Sequence, residues 1–293
     1  MNELEKRVIE AVCKNDLRSA KKIIKIILEQ DKTQKNRAFV TRNLNMLNNS
    51  AMNLMDLPMN LKEILIIEDV SISFNENRYF LSSREREIAN KILKLNAAAE
   101  RLAEIGIRYV NSSLLYGESG TGKTTFGRYL ACKMGVPFAY LNFSQTVDSY
   151  LGNTQKNISR VFDYIKQQKC VFMLDEIDAI GMRRQDNKEI GEMSRVVISL
   201  MQNLDTLTND TVLLGATNRI DILDEALLRR FSVKHEVKRL EQEERFAMAQ
   251  KFLSDVAFDY TEDWLNSVCS PSQTQSELMN HLIEAIVDQI TAN

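Results

Sequence analysis

Residues 113–125 constrain the fold more than any other part of the chain. They read SLLYGESGTGKTT and fit the pattern G-x-x-x-x-G-K-[ST] at every fixed position. A short apolar run comes first, and an amphipathic pattern carried by Phe126, Leu130 and Met134 follows. This order predicts a strand, a glycine loop and a helix. Glycines let backbone N–H groups turn toward an anion at a helix N-terminus, so the segment predicts a phosphate-binding loop.

Each residue of this loop has an expected place around a nucleotide. Lys123 is expected to contact the β- and γ-phosphates, and Thr124 to offer its hydroxyl to Mg²⁺. The alternative is a glycine-rich turn with a solvated lysine, but both flanking elements stand where a phosphate-binding loop needs them. The residues predicted to surround the phosphates are Gly117, Glu118, Ser119, Gly120, Thr121, Gly122, Lys123, Thr124 and Thr125.

A second apolar run supplies the carboxylates that such a loop requires. Residues 170–178 read CVFMLDEID, and the five apolar residues predict a buried parallel strand. Asp175 at the carboxyl end of this strand is predicted to hold Mg²⁺. Glu176 is placed to polarise a water that attacks the γ-phosphate. A solvated acidic turn is the alternative.

A third predicted strand, TVLLGAT at 211–217, ends at Asn218. This amide is suited to contact the γ-phosphate and the attacking water, although asparagine is also an ordinary turn residue. Arg229 and Arg230 follow in LDEALLRRF. Their spacing leaves open a solvated surface or arginine fingers directed at a neighbouring subunit's nucleotide.

Together these segments resemble the AAA+ ATPases, and within them the AAA subgroup that includes spastin and katanin. The resemblance covers roughly residues 111–237. GESGTGKT is similar to the Walker A motif and VFMLDEID to Walker B. The stretch GATNRIDILDEALLRRF is similar to the one that joins sensor 1 to the arginine fingers. The resemblance implies that Asn218 is sensor 1 and that Arg229 and Arg230 act in trans.

The resemblance also assigns residues outside the main motifs. Asn142, in FAYLNF, matches a polar residue that restrains the catalytic glutamate. The segment DSYLGNT matches the first pore loop, although Tyr150 is open to the alternative of a half-buried loop aromatic. Residues 66–84 are expected to lie near the adenine. The pore-loop residues implied are Tyr150, Leu151 and Gly152.

The chain departs from the family pattern in two places. Pro-Gly is missing between the two arginines, as it is in the spastin-like branch. No arginine in the C-terminal part clearly matches sensor 2.

The pattern of elements predicts an α/β fold. A P-loop NTPase parallel sheet is expected between layers of helices, because strand and helix patterns alternate through the core. The predicted domains are a helical N-terminal segment at 1–55, a large nucleotide-binding domain at 60–238 and a small helical lid at 239–293. A third N-terminal helix is expected over 35–48. A long helix is expected from Ser83 to Glu104, with a capping box formed by Ser83 and Arg86–Glu87.

Charge and cysteine content limit the classes of partner and the cellular location that the sequence predicts. The formal net charge is −2, which gives no general attraction to nucleic acid or anionic membranes. Residues 1–50 carry eleven Lys/Arg against six Asp/Glu, consistent with a solvated basic face, partner docking, or contact with DNA or a membrane. Four scattered cysteines without a C-x-x-C pair, and no signal-peptide pattern, predict a cytoplasmic location. Frequent Asn, Lys and Ile are typical of a low-GC bacterial or phage source.

These observations predict Mg²⁺-dependent ATP hydrolysis at interfaces between subunits. The first hypothesis is a homo-oligomer, expected to be a hexamer, that pulls a protein client through a central pore. The second is an ATP-gated scaffold that recruits a partner or adaptor through the N-terminal helices. A DNA-associated helper ATPase is the third, and nucleic acid and membrane are not expected partners.

Overall fold

The structure is a computed structural model. It describes residues 3–13, 17–31, 33, 36, 39–41, 44, 57, 61–144, 154–166, 168–180 and 190–292. The predicted pore loop at 150–152 lies outside the described residues, as does most of the helix expected over 35–48. Internal contacts divide the chain into two units, Met1–Asn53 and Leu54–Asn293.

In the described part of the first unit, helices α1 (Glu3–Cys13) and α2 (Leu17–Gln30) pack on each other. Both are amphipathic, and Ala11, Ala20 and Ile23 are buried. Ile9 and Val12 remain about half exposed. The pair therefore buries one apolar stripe and leaves apolar side chains at the surface.

The second unit is built on a six-stranded sheet with the order β1-β3-β4-β5-β2-β6. All neighbouring strands are parallel except β1 and β3. The parallel sheet predicted from the alternating pattern is confirmed. The strands are β1 (Ile66–Glu68), β2 (Asn111–Tyr116), β3 (Phe138–Asn142), β4 (Cys170–Asp175), β5 (Thr211–Thr217) and β6 (Val233–Glu236).

Helices cover both faces of this sheet. The described helices of the sheet region are α3 (Val70–Ser73), α4 (Ser83–Glu104), α5 (Lys123–Met134), α6 (Thr154–Ile165), α7 (Ile190–Leu204) and α8 (Glu225–Leu228). On β4, Phe172 packs with Phe162 of α6 in one core, while Met173 packs with Phe126 of α5 in the other. The central strand is buried on both faces, which explains why it reads as an uninterrupted apolar run.

The helical lid predicted after the sheet is present. It consists of α9 (Gln242–Asp255), α10 (Glu262–Val268) and α11 (Gln275–Ala292). Leu253, Leu265 and Leu278 belong to a core of its own. The lid therefore has a hydrophobic centre separate from the two cores beside the sheet.

Two local features differ from the sequence prediction. The antiparallel edge strand β1 was not predicted, because three residues are too few to show a period. The capping box of α4 is formed by Ser82 and Glu85, not by Ser83 with Arg86–Glu87. Ser82 Oγ accepts from the Glu85 N–H at 3.2 Å, and a Glu85 carboxylate oxygen accepts from the Ser82 N–H at 2.9 Å. A glutamate three residues after the cap satisfies the geometry, which the expected register did not offer.

Candidate functional site

The loop between β2 and α5 is shaped by its glycines. Gly117 has φ +149°, and a Cβ there would lie 2.2 Å from the Val237 carbonyl oxygen. Gly120 has φ +77°, and its Cβ would lie 2.8 Å from Thr274 Oγ1 of the lid. Only glycine permits this close approach of the loop backbone to the residue after β6 and to the lid. The loop ends at Gly122, the residue that caps the N-terminus of α5.

Lys123 is the first residue of α5, and its ammonium group points back into the loop. Nζ donates at 2.8 Å to the carbonyls of Gly117 and Glu118. It also donates at 2.8 Å to Asn218 Oδ1 at the end of β5. Burial lowers the pKa of Lys123, and Asp175 and Asp178 oppose that shift. The lysine and the sensor-like asparagine, 95 residues apart, therefore meet directly.

Thr124 meets the carboxyl end of β4. Its Oγ1 donates to Asp175 Oδ2 at 2.7 Å, and Asp175 Oδ1 accepts from the Glu176 N–H at 2.9 Å. Glu176 has φ 54° and ψ 44°, a left-handed conformation that is uncommon for a residue with a Cβ. A hydroxyl and a carboxylate oxygen are thus side by side, with a second carboxylate on the next residue.

Sequence reasoning missed a link between the end of β5 and the turn that follows β4. Thr217 Oγ1 donates to Asp178 Oδ1 at 2.6 Å and accepts from the Arg219 N–H at 2.9 Å. The only available signal was a polar residue at the end of β5 and another three residues past the end of β4, on strands that would be adjacent in a parallel sheet. The link fixes the segment that carries Asn218 relative to the one that carries Glu176.

Asn142 lies at the end of β3, where it pairs in register with Asp175. Its Nδ2 donates to the Tyr140 hydroxyl at 3.2 Å. Burial, followed by the negative charge of Asp175, raises the pKa of Tyr140 to about 12. Asn142 is therefore next to the acidic strand end, and its restraint of Glu176 stays a prediction.

A cavity of about 450 Å³ adjoins the loop and lies between the sheet domain and the lid. Thr121, Gly122 and Thr125 contribute from the loop side, and Met248 and Met279 from the lid. Residues 73–75 and 78–80 form another wall, together with Glu85. Part of the segment expected near the adenine thus lines a cavity that opens beside the glycine loop.

The lid also contacts the loop itself. The Ser276 N–H donates to the Gly120 carbonyl at 3.1 Å. Arg239 Nε donates to Glu118 Oε2 at 2.5 Å. The loop is therefore held between the sheet and the lid.

Arg229 and Arg230 lie at the opposite edge of the sheet. Ser112, near the start of β2, donates its hydroxyl to the Arg230 carbonyl at 3.0 Å, whereas the loop begins after the end of β2. Arg229 pairs with Glu225 at 3.1 Å, and Arg230 pairs with Asp205 at 3.2 Å. The five residue-to-residue steps from Ser112 to Gly117 span roughly 16 Å along the strand. The structure does not bring these arginines to the loop of the same chain.

Comparison with known proteins gives the family of this domain. Residues 113–239 match the AAA family, described as the ATPase family associated with various cellular activities. The AAA family ATPase y4kL of Sinorhizobium fredii is 32% identical over 165 residues, which are 56% of this chain and 50% of that protein. The 26S proteasome regulatory subunit 6A of Saccharomyces cerevisiae is 34% identical over 154 residues, 51% of this chain and 36% of the relative. The ATP-dependent zinc metalloprotease FtsH 3 of Sphaerobacter thermophilus is 33% identical over 197 residues, 66% of this chain and 40% of the relative.

A solved structure has the same fold. The crystal structure of the FIGL-1 AAA domain superposes with a TM-score of 0.59 over 77% of this chain and 76% of that one, at 21% identity. The chain spans half or less of the length of the three curated relatives above. Within the part of the chain that the structure describes, each helix is too short or too polar to cross a lipid bilayer.

Proposed function

We propose that the chain is an AAA+ ATPase, the family that its residues 113–239 match, and that it hydrolyses ATP with Mg²⁺ at sites shared between copies of itself. The observation that carries this proposal is the placement of the arginines. Lys123, Thr124, Asp175 and Asn218 converge at one edge of the sheet, whereas Arg229 and Arg230 lie at the other edge. A complete site of this kind therefore needs a second copy.

The residues at the loop fit a nucleotide triphosphate. The loop amides and Lys123 bind the phosphates at the N-terminus of α5. The hydroxyl of Thr124 and the carboxylate of Asp175 are oxygen ligands of the kind that Mg²⁺ prefers, and they already lie 2.7 Å apart. The metal, when bound, neutralises charge on the phosphate oxygens.

Each remaining residue has a role in the hydrolysis step. Glu176 orients and polarises the attacking water, and Asn218 contacts the γ-phosphate and that water. Asn142 restrains Glu176 from the neighbouring strand end. Arg229 and Arg230 of a second copy offset the charge that develops in the transition state.

We propose a closed ring, expected to be a hexamer, that acts on protein clients. A heterologous contact, in which arginines of one copy meet the loop of the next, closes into a ring when the rotation permits. Relatives of this chain are named as proteasome regulatory subunits and as an ATP-dependent metalloprotease, which supports a protein client. Tyr150, Leu151 and Gly152 are proposed to grip that client in a cytoplasmic complex.

The N-terminal unit favours a second candidate, an ATP-gated scaffold that recruits a partner. Ile9 and Val12 of α1 and Ile26 of α2 are 43–51% exposed on a helix pair that carries a basic excess. Apolar side chains on a separately packed unit suit docking of an adaptor. Under this hypothesis, ATP binding is sufficient for function in cells and repeated hydrolysis is not required.

The variant Glu176→Gln tests the proposal and separates the two candidates. It should bind ATP, keep the oligomer assembled on a sizing column and turn over at least a hundredfold more slowly, because the group that polarises water is lost. A remodeller with this change is inactive in cells and retains its client in a pull-down, whereas a scaffold remains active. Wild-type protein that neither binds nor hydrolyses ATP would refute the proposed function.

A further inference from the structure

We propose that Arg239 is a positioning residue for the nucleotide: by neutralising Glu118 it lets a phosphate-binding loop that contains a carboxylate bind a polyanion. This inference rests on the proposed ATPase function and names a further residue for it. Three features of the molecule support it: the position of Arg239, the contacts of its guanidinium and the charge on the loop.

Arg239 lies at the junction between the sheet and the lid. β6 ends at Glu236, and the first lid helix begins at Gln242. Between them the Val237 N–H donates to the Tyr116 carbonyl at 2.8 Å, which extends the pairing of β6 with β2. The Val237 carbonyl is also the group that leaves no room for a Cβ at Gly117. The chain leading to Arg239 therefore runs directly against the start of the loop.

The guanidinium of Arg239 connects the loop to the lid. Nε donates to Glu118 Oε2 at 2.5 Å, and Nη1 donates to the carbonyl of Ser272, in the segment before α11. A short distance along, the Ser276 N–H donates to the Gly120 carbonyl. Two successive parts of the loop are thus attached to the same region of the lid.

Glu118 links this contact to the phosphate-binding lysine. Its backbone carbonyl accepts from Lys123 Nζ and from Thr121 Oγ1, both at 2.8 Å. The side chain of Glu118 leaves the loop in the direction of the lid, where it meets Arg239. One residue therefore holds the lysine through its main chain and the arginine through its side chain.

The charges of Glu118 and Arg239 explain how this ion pair affects nucleotide binding. A carboxylate in a loop that binds phosphates repels the incoming anion, and the repulsion acts on ATP and ADP alike. Arg239 offsets it with an opposite charge at hydrogen-bond distance. The two side chains are 43% and 62% exposed, so solvent screens the interaction and its effect on affinity is moderate.

The test is a double-mutant cycle on the full chain, with steady-state ATPase kinetics and release of a fluorescent ADP as readouts. Arg239→Ala should raise KM for ATP and speed ADP release by roughly two- to fivefold, with kcat changed less than about twofold, on the scale of exposed to half-exposed charge pairs. Glu118→Gln alone should lower KM, because it removes the repulsion and leaves the positive charge of Arg239 beside the loop. Combining Glu118→Gln with Arg239→Ala should restore KM.

A purely structural role for Arg239 predicts that adding Glu118→Gln would not restore KM. If Arg239 only stabilised the lid, the double variant would be as impaired as Arg239→Ala. Arg239→Gln keeps most of the side-chain length without its charge and carries the same expectation should the alanine variant not fold. Arg84→Ala is the matched control, because Arg84 pairs with Glu241 of the lid at 3.5 Å and neither of these residues belongs to the loop.

Two results would overturn the inference. One is a KM for Arg239→Ala and Arg239→Gln equal to that of wild type, and the other is a double variant that is not restored. Both are distinct from failure of the proposed function, in which wild-type protein itself shows no nucleotide binding.

Discussion

Complementation between two inactive variants tests the shared site most directly. Lys123→Ala removes the cation of the phosphate loop and leaves Arg229 and Arg230 intact. The variant Arg229→Ala/Arg230→Ala keeps the loop and loses both guanidinium groups. Because the two sets of residues lie at opposite edges of one sheet, a Lys123→Ala subunit can still serve the loop of its neighbour.

The magnitude follows from this geometry. In an equal, randomly assembled mixture half of the loops are intact, and half of those face intact arginines, so about one quarter of the sites are complete whatever the ring size. Each variant alone should be nearly inactive, since trans fingers in other NTPases contribute roughly 10³–10⁵-fold in rate. The mixture should therefore recover about a quarter of wild-type activity from two preparations with almost none.

The assay is phosphate release at fixed total protein concentration, with the ratio of the two variants varied from zero to one. Activity should pass through a maximum near equal amounts. Arg101→Ala, which removes an exposed arginine of α4, serves as a control and should retain full activity when assayed alone. A mixture that stays inactive after subunit exchange, or a finger variant that turns over at the wild-type rate by itself, would refute the shared site.

Three further predictions concern the metal, the client and the core. Thr124→Ala should raise the Mg²⁺ concentration needed for half-maximal activity about tenfold or more, because the hydroxyl beside Asp175 is lost; an unchanged Mg²⁺ titration would argue against that site. Tyr150→Ala should leave basal ATPase activity within about twofold while client processing is lost, and continued processing would exclude the pore role. Gly127→Ala should lower the free energy of unfolding by roughly 1–3 kcal/mol, because its Cβ would lie 2.8 Å from Phe138 and 2.9 Å from Met173 in a packed core. Urea denaturation measures this, and a stability equal to wild type would show that the core relaxes around the methyl group.

Local patterns were sufficient to predict the sheet domain. The loop at 117–124 and the strand before Asp175 are defined by neighbours in sequence, since glycine spacing and an apolar run bounded by polar residues act over short distances. The same holds for the helix that begins at Lys123. The parallel pairing of the strands follows from this alternation, because parallel strands need crossover connections.

The features that the sequence did not predict depend on contacts between distant parts of the chain or on the geometry of a single residue. The Glu118–Arg239 contact joins residues 121 positions apart, and neither residue belongs to a pattern that would identify it. β1 is recognisable only by its pairing with β3. The cap at Ser82 is displaced from the expected one by a single residue, and which of two adjacent serines begins a helix depends on the position of one glutamate.

The left-handed backbone of Glu176 places stability and activity in competition at one residue. A side chain with a Cβ pays a conformational penalty there, of order 1 kcal/mol or more, that glycine would avoid. A glycine variant is therefore expected to resist denaturation better while losing turnover. Selection for stability alone would therefore favour glycine at this position. Selection for catalysis retains the carboxylate on which the reaction depends.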